Sequence, residues 1–325
     1  MQYRHAVCAL VVAVAIGAPR AAHATFSIVA CDAEKRCGAA VATNNLAVGA
    51  TVIYAKAGVG ALATQFETNP SYGPKGLAML DKGTAPQATL DELLKTDGNF
   101  EGQDISFRQV GIVAGDGKTA TYTGKQAAAS PWAGSVTGPG YAIQGNGLAG
   151  KAVIDAMQAA FVRATGPLEE RLLAALEAGE AAGGQTTGRM SAALIVRTAE
   201  GGFVDTDLRV DAAERPLREL RTLIELRAAN VALIRAERAA GAKKLDEARE
   251  LIAEGLRLGA GWDRIWRRAA RLELQIGDIN EALQALAVFA RLNPTWAKLE
   301  LDDVLYKPLW GRAVVQRWRA GRTNR

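Results

Sequence analysis

The case for chemistry in this sequence begins at Thr25. It follows Ala22-His23-Ala24, a small-x-small pattern of the kind at which secretory leaders are cut. Cleavage after Ala24 gives Thr25 a free α-amine, whose reference pKa is about 8. An amine beside its own hydroxyl can activate a Thr nucleophile without an imidazole. The processed chain needs such a base, because its two histidines, His5 and His23, both precede the cut. Ser-His-Asp and Cys-His systems and zinc sites built on His are thereby excluded. Lys56 is the second candidate, as the only charged residue between Arg36 and Glu67. A buried ammonium near the hydroxyl lowers the pKa of both Thr25 groups. Asn146, in Gln144-Gly-Asn-Gly, is the third: flanking glycines let backbone approach a ligand, and an Asn amide can donate to an oxyanion. Gln65, Asn69, Tyr72, Arg108, Gln109, Gln144, Arg189 and Ser191 are polar groups in or beside apolar stretches and are candidates for substrate binding.

The leader itself has a basic start at Arg4 and an apolar run from Ala6 to Ala18, too short for the ~20 residues that span a bilayer. Export to the periplasm is therefore expected, with no membrane segment after cleavage. Removing residues 1–24 takes away Arg4, Arg20 and Cys8, leaving 37 basic against 34 acidic residues and two cysteines, Cys31 and Cys37. Two thiols in an oxidising compartment predict a disulfide rather than a metal site. No metal or organic cofactor is expected.

Elements that must position these groups are readable in outline. Thr25–Cys31 and Gly38–Thr43 alternate as strands, with a polar five-residue loop, Asp32–Arg36, that suits a hairpin. Cysteines flanking such a loop come within disulfide reach. Further strands are expected at 48–54, 58–65, 108–114, 119–123, 191–197 and 202–210, with helices at 74–82, 88–96, 151–165 and 168–179. The glycine-rich passage 137–150 reads as a loop, without the Gly-Lys-Ser/Thr of a phosphate site. Helices set within a strand-rich order predict α+β layers.

A change of composition marks a domain boundary near Val210. Residues 25–210 hold 26 of the 34 glycines; residues 211–325 hold 7, with 22 basic and 16 acidic residues. The second region reads as helical throughout. Glu247-Ala248 recurs as Glu281-Ala282, Arg257 as Arg291 and Trp262 as Trp296, each 34 residues on, which is the tetratricopeptide period. Positive charges alternate with acids there, the pattern of solvated helices, and export argues against nucleic acid. A helical groove for a protein partner is the expectation for such a module.

Several segments resemble a known family. Thr25-Phe-Ser-Ile-Val-Ala, the stretch 55–65, Asn69-Pro-Ser-Tyr-Gly, Arg108-Gln-Val-Gly-Ile-Val, Trp132-Ala-Gly, Gly140-Tyr-Ala-Ile-Gln-Gly-Asn and Ser191-Ala-Ala-Leu look like the bacterial family catalogued as domain of unknown function 1028, in order and spacing over residues 25–210. That family resembles N-terminal-nucleophile (Ntn) hydrolases, which implies a four-layer αββα sandwich and a catalytic Thr25. Lys56 lies at a chain distance from Thr25 similar to that of the active-site Lys in proteasome-type members. The implied activity is cleavage of an amide or peptide bond in a small molecule or peptide. The rival expectation is a non-catalytic binding protein, an Ntn-like domain holding a ligand while the tail recruits a partner.

Overall fold

The computed structural model describes residues 24–321, so the leader read into residues 1–24 lies outside it except for Ala24. The chain enters through β1 (Thr25–Cys31) and β2 (Cys37–Thr43), an antiparallel hairpin closed by a Cys31–Cys37 disulfide. Asp32 ties the loop, accepting the Arg36 backbone N–H and pairing with its guanidinium. Pairing Cys31 with Cys37 forces Thr25 opposite Thr43 at the other end.

Two antiparallel sheets follow. The first has the order β10 (Thr206–Val210), β9 (Ser191–Arg197), β2, β1, β8 (Tyr141–Asn146), β7 (Gly134–Gly138). The second runs β3 (Ile53–Lys56), β4 (Gly60–Phe66), β5 (Arg108–Ala114), β6 (Thr119–Thr123). Side chains alternate across each strand, and three cores result. Phe26, Ile28 and Ala30 of β1 point away from the second sheet, towards α4 (Lys151–Arg163) and α5 (Leu168–Ala181). Val29, Val41, Ala193 and Ile195 meet Ile53, Ala61, Ala63 and Val113 between the sheets. Leu62, Val110 and Ile112 pack outward against α1 (Tyr72–Asp81) and α2 (Pro86–Lys95). Helices thus cover the outer faces of two facing sheets, an α+β arrangement. A short α3 (Lys125–Ala128) connects β6 to β7.

Two regions differ from the sequence expectation. Val48–Ala50 is a single 3₁₀ turn, and the strand begins only at Ile53. Ala47 takes a left-handed φ of 53°, while the Ala47 and Val48 N–H groups bond to Asp211 O and the Ser191 hydroxyl, so anchoring replaces pairing. The glycine-rich passage contains β8, a central strand beside β1, with β7 hairpinned onto it. Its glycines serve close approach: a Cβ on Gly145 would lie 2.6 Å from Leu148 Cδ1.

The C-terminal helices are α6 (Pro216–Gly241), α7 (Leu245–Leu258), α8 (Asp263–Ile276), α9 (Ile279–Leu292), α10 (Pro294–Glu300) and α11 (Ala313–Arg319). α9 begins and ends 34 residues after α7, and α8 stands the same distance after the second half of α6. No linker separates this region from the sheets. Leu217, Leu220 and Ile224 of α6 belong to the core beneath the first sheet, whereas Ala229, Leu233 and Ala236 belong to the helical core. The cores therefore divide inside one continuous helix, beyond the composition change at Val210. Among the described residues no helix is long and apolar enough to cross a membrane.

Candidate functional site

Period-2 alternation puts Thr25, Ser27 and Val29 on the face of β1 that looks at the second sheet. Thr43 and Asn146 flank Thr25 on either side, from β2 and β8. Opposite residues of an antiparallel pair hold their Cβ atoms ~4.5–5.5 Å apart, so the three side chains are neighbours. Thr25 is 4% exposed and Thr43 and Asn146 less. Thr25 Oγ1 lies 3.1 Å from Thr43 Oγ1, and Thr43 spends its own proton on Ala24 O at 2.8 Å. The proton between the two hydroxyls is therefore that of Thr25, which donates to Thr43. Thr43 is thus in contact with both the Thr25 hydroxyl and the carbonyl of the peptide bond preceding Thr25.

Beneath this trio runs a buried amide relay. Gln144 Nε2 donates to Ser27 Oγ (2.5 Å), and Ser27 Oγ donates to Gln65 Oε1 (2.6 Å). Gln65 Nε2 donates to Gln109 Oε1 at 2.8 Å, and Asn146 Nδ2 reaches the same oxygen at 2.9 Å. Gln109 Nε2 donates in turn to Gly145 O and Thr123 Oγ1. The four amides come from both sheets and lock them together at the Thr25 end. Gly111 makes room, since a Cβ there would stand 1.9 Å from Gln144 Oε1. Two acceptors, Gln144 Oε1 and Asn146 Oδ1, have no partner. The aromatic Phe66 directly after Gln65 is held at a left-handed φ of 70°, a strained conformation for a bulky residue.

A second buried cluster lies on the other face of the second sheet. Arg108 is one residue from Gln109 and so points outward, towards α1 and α2. Its guanidinium forks onto Asp97 (2.9 and 3.1 Å) and binds the carbonyls of Glu67, Phe100 and Gln103. Asn69 and the Tyr72 hydroxyl complete the shell of Asp97. Burial alone would raise the Asp97 carboxyl, but the bonds from Arg108, Tyr72 and Asn69 outweigh it and lower it to about 2. Burial, reinforced by Asp97, pushes the Tyr72 phenol well above its usual value. With its donors consumed in tying down residues 97–107, this cluster holds the backbone together and lies on the opposite side of the sheet from Thr25.

Lys56 requires correction. It is exposed, at the tip of the β3–β4 hairpin, with its Nζ on Asp81 at 2.7 Å. Gly58 in the same tip bonds to Lys35 in the disulfide-closed loop, at the far end of β1 from Thr25. An isolated charge in an apolar stretch marks a solvent-exposed turn here, and Lys56 cannot tune Thr25. Arg189 is likewise exposed and paired with Glu180, although its neighbour Met190 bonds to Thr43 O. The buried Ser191 hydroxyl donates to Asn45 O and accepts from Val48 N, fixing the loop after β2.

The sequence reading thus missed Ser27, Thr43 and Asp97. The first two had a signal: Ser27 shares the alternation of Thr25, and the Cys31–Cys37 pairing dictates the partner of Thr25. Asp97 had none, lying in a loop far along the chain. No three or more His, Cys, Asp or Glu among the described residues are gathered as metal ligands.

The family of unknown function DUF1028 matches residues 25–220, more than half of the sequence. The chain belongs to the DUF1028 family. The DUF1028 domain begins at Thr25, the first residue of β1. A similar solved structure is the crystal structure of protein SPO2555 from Silicibacter pomeroyi, described with the DUF1028 family model. It is 31% identical, covers 62% of this chain and 88% of its own, and superposes with a TM-score of 0.55. No curated protein matches the chain.

Proposed function

We propose that the DUF1028 domain is an exported Ntn-type amide hydrolase whose nucleophile is Thr25, freed when the Ala24–Thr25 bond is cut. One observation carries the reading: the Thr25 hydroxyl is held by Thr43 and flanked by an amide side chain, in a region with no histidine. The order of layers, helices outside two facing sheets, is the one expected of Ntn hydrolases and supports the fold assignment. The DUF1028 family carries no activity of its own to transfer.

Cleavage removes the Ala24 carbonyl and leaves a primary amine beside the hydroxyl. Burial at this strand end favours the neutral amine, taking the part first given to Lys56. The amine accepts the hydroxyl proton as Oγ1 attacks the substrate carbonyl carbon. Asn146 Nδ2 has two protons; one is engaged by Gln109, and the other is available to the developing oxyanion. The protonated amine passes its proton to the leaving nitrogen and the amine product departs. A water, deprotonated by the same α-amine, then attacks the acyl carbon; the bond to Oγ1 breaks, the acid product leaves, and the ammonium returns its proton to Oγ1. No step calls on a metal or organic cofactor.

The tail, with its 34-residue helix offset, is read as a tetratricopeptide-like module that binds a protein partner.

The test is covalent. Mature exported protein treated with a β-lactone should gain one adduct, mapped to Thr25. Thr25→Ala should lose it, Thr25→Ser should retain part, and one extra residue before Thr25 should abolish it by converting the base to an amide. Equal labelling of the extended chain would end the proposal and leave the non-catalytic binding reading.

A further inference from the structure

The amide relay leaves the C-terminal helices unaccounted for, and they enclose a cavity of about 600 Å³ between α7, α8 and α9. Ile252 and Leu256 from α7, Ala285 from α9 and the indole of Trp266 from α8 form the apolar part of its wall. Glu273, in the last turn of α8, also lines it, and is 6% exposed. The Glu273 Oε2 atom is buried with no hydrogen-bond partner. Leaving a buried acceptor unmet is costly, so this carboxyl is a vacant half of an interaction.

The one cation on the cavity wall is already committed. Arg249 grips Asp278 through two bonds, 2.7 and 3.0 Å, and Asp246 through a third at 2.9 Å. Glu281, in the first turn of α9, adds a further negative charge on the wall. Charge is thus in negative surplus over an apolar slot. An organic cation with an apolar stem complements both the acids and the apolar side chains of such a slot.

We propose that this cavity binds a primary ammonium on an aliphatic stem, the ammonium meeting Glu273 and the stem lying against Ile252, Leu256 and Trp266. A free alkylamine and a lysine side chain share this chemistry. The inference is independent of the chemistry at Thr25.

Calorimetric titration of the whole mature chain at pH 9, where the Glu273 carboxyl is ionised and both ammonium probes remain charged, tests it. n-Hexylammonium and a lysine-containing, N-acetylated tetrapeptide amide represent the two sources. At least one should bind saturably, and n-hexanol and hexanoate should bind at least tenfold more weakly or not at all. Glu273→Gln, which keeps the shape, should weaken ammonium binding at least tenfold. Ala253→Leu, at the exposed rim, should obstruct the slot with the same effect. Binding of neither ammonium probe, equal binding of hexanol, or full affinity in both variants would overturn the proposal.

Discussion

Asp97 and Glu273 are buried acids with opposite fates, and each makes a measurable claim. Asp97 is held down to about 2 against an ordinary 3.8 because the bonds from Arg108, Tyr72 and Asn69 outweigh its burial. A depressed carboxyl stabilises the fold above its unfolded pKa, so this contribution is complete above about pH 4 and fades as pH falls towards 2. Asp97→Asn leaves the Arg108 charge buried and should cost about 3–5 kcal/mol in denaturant unfolding. It should also flatten that acid limb. Glu273 is pushed up to about 8 by burial, with repulsion from Glu281 and Asp278, while Arg249 is engaged elsewhere. Folding then binds a proton, so stability falls as pH rises from about 4.5 to 8. Glu273→Gln should raise Tm, and more at pH 9 than at pH 5. For the proposed hydrolysis at Thr25, Lys56→Met should leave activity and its alkaline limb unchanged, because Lys56 lies at the other end of β1. A lowered rate or shifted limb would restore it to the mechanism.

At the level of elements, the first hairpin was legible because two independent signals agreed. Alternation placed Phe26, Ile28 and Ala30 on one face, and the cysteines bracketed the turn. β8 was illegible for a physical reason: Gly140, Gly145 and Gly147 have the composition of a loop, yet in Gly145 the missing side chain is what lets the strand sit against Leu148 and Phe26. Residue type alone points to Asn146, and its place opposite Thr25 follows only from that pairing. Arg108 and Gln109 are equal candidates by residue type, yet neighbouring residues on a strand face opposite sides of the sheet and the two serve different clusters. Gly111 tests the inter-sheet relay. Gly111→Ala should displace Gln144, cost about 1–3 kcal/mol, and weaken any chemistry at Thr25. A variant of wild-type stability would mean the relay bears no strain. Reduction of the Cys31–Cys37 bond should cost about 2 kcal/mol, as its small loop constrains the unfolded chain only modestly. Thermal melts with and without reductant measure it.

For the molecule as a whole, α6 decides how the parts behave together. Its first turns lie under the first sheet and its later turns in the helical core, so the two regions should melt in one calorimetric transition. Ala228→Pro falls between Ile224 and Ala229 and should cost about 3 kcal/mol or more by breaking the helix. It should split that transition into two. Two transitions already present in the unaltered chain would show that α6 does not couple the cores. The match to the DUF1028 family stops at residue 220, early in the second turn of this helix. A recombination event at that point would carry off Ile224 and strip the sheet of part of its cover, while leaving the incoming tail a helix with no root. A tail joined at that point keeps the cover only if its leading helix supplies an apolar residue at position 224, since Leu217 and Leu220 stay with the domain.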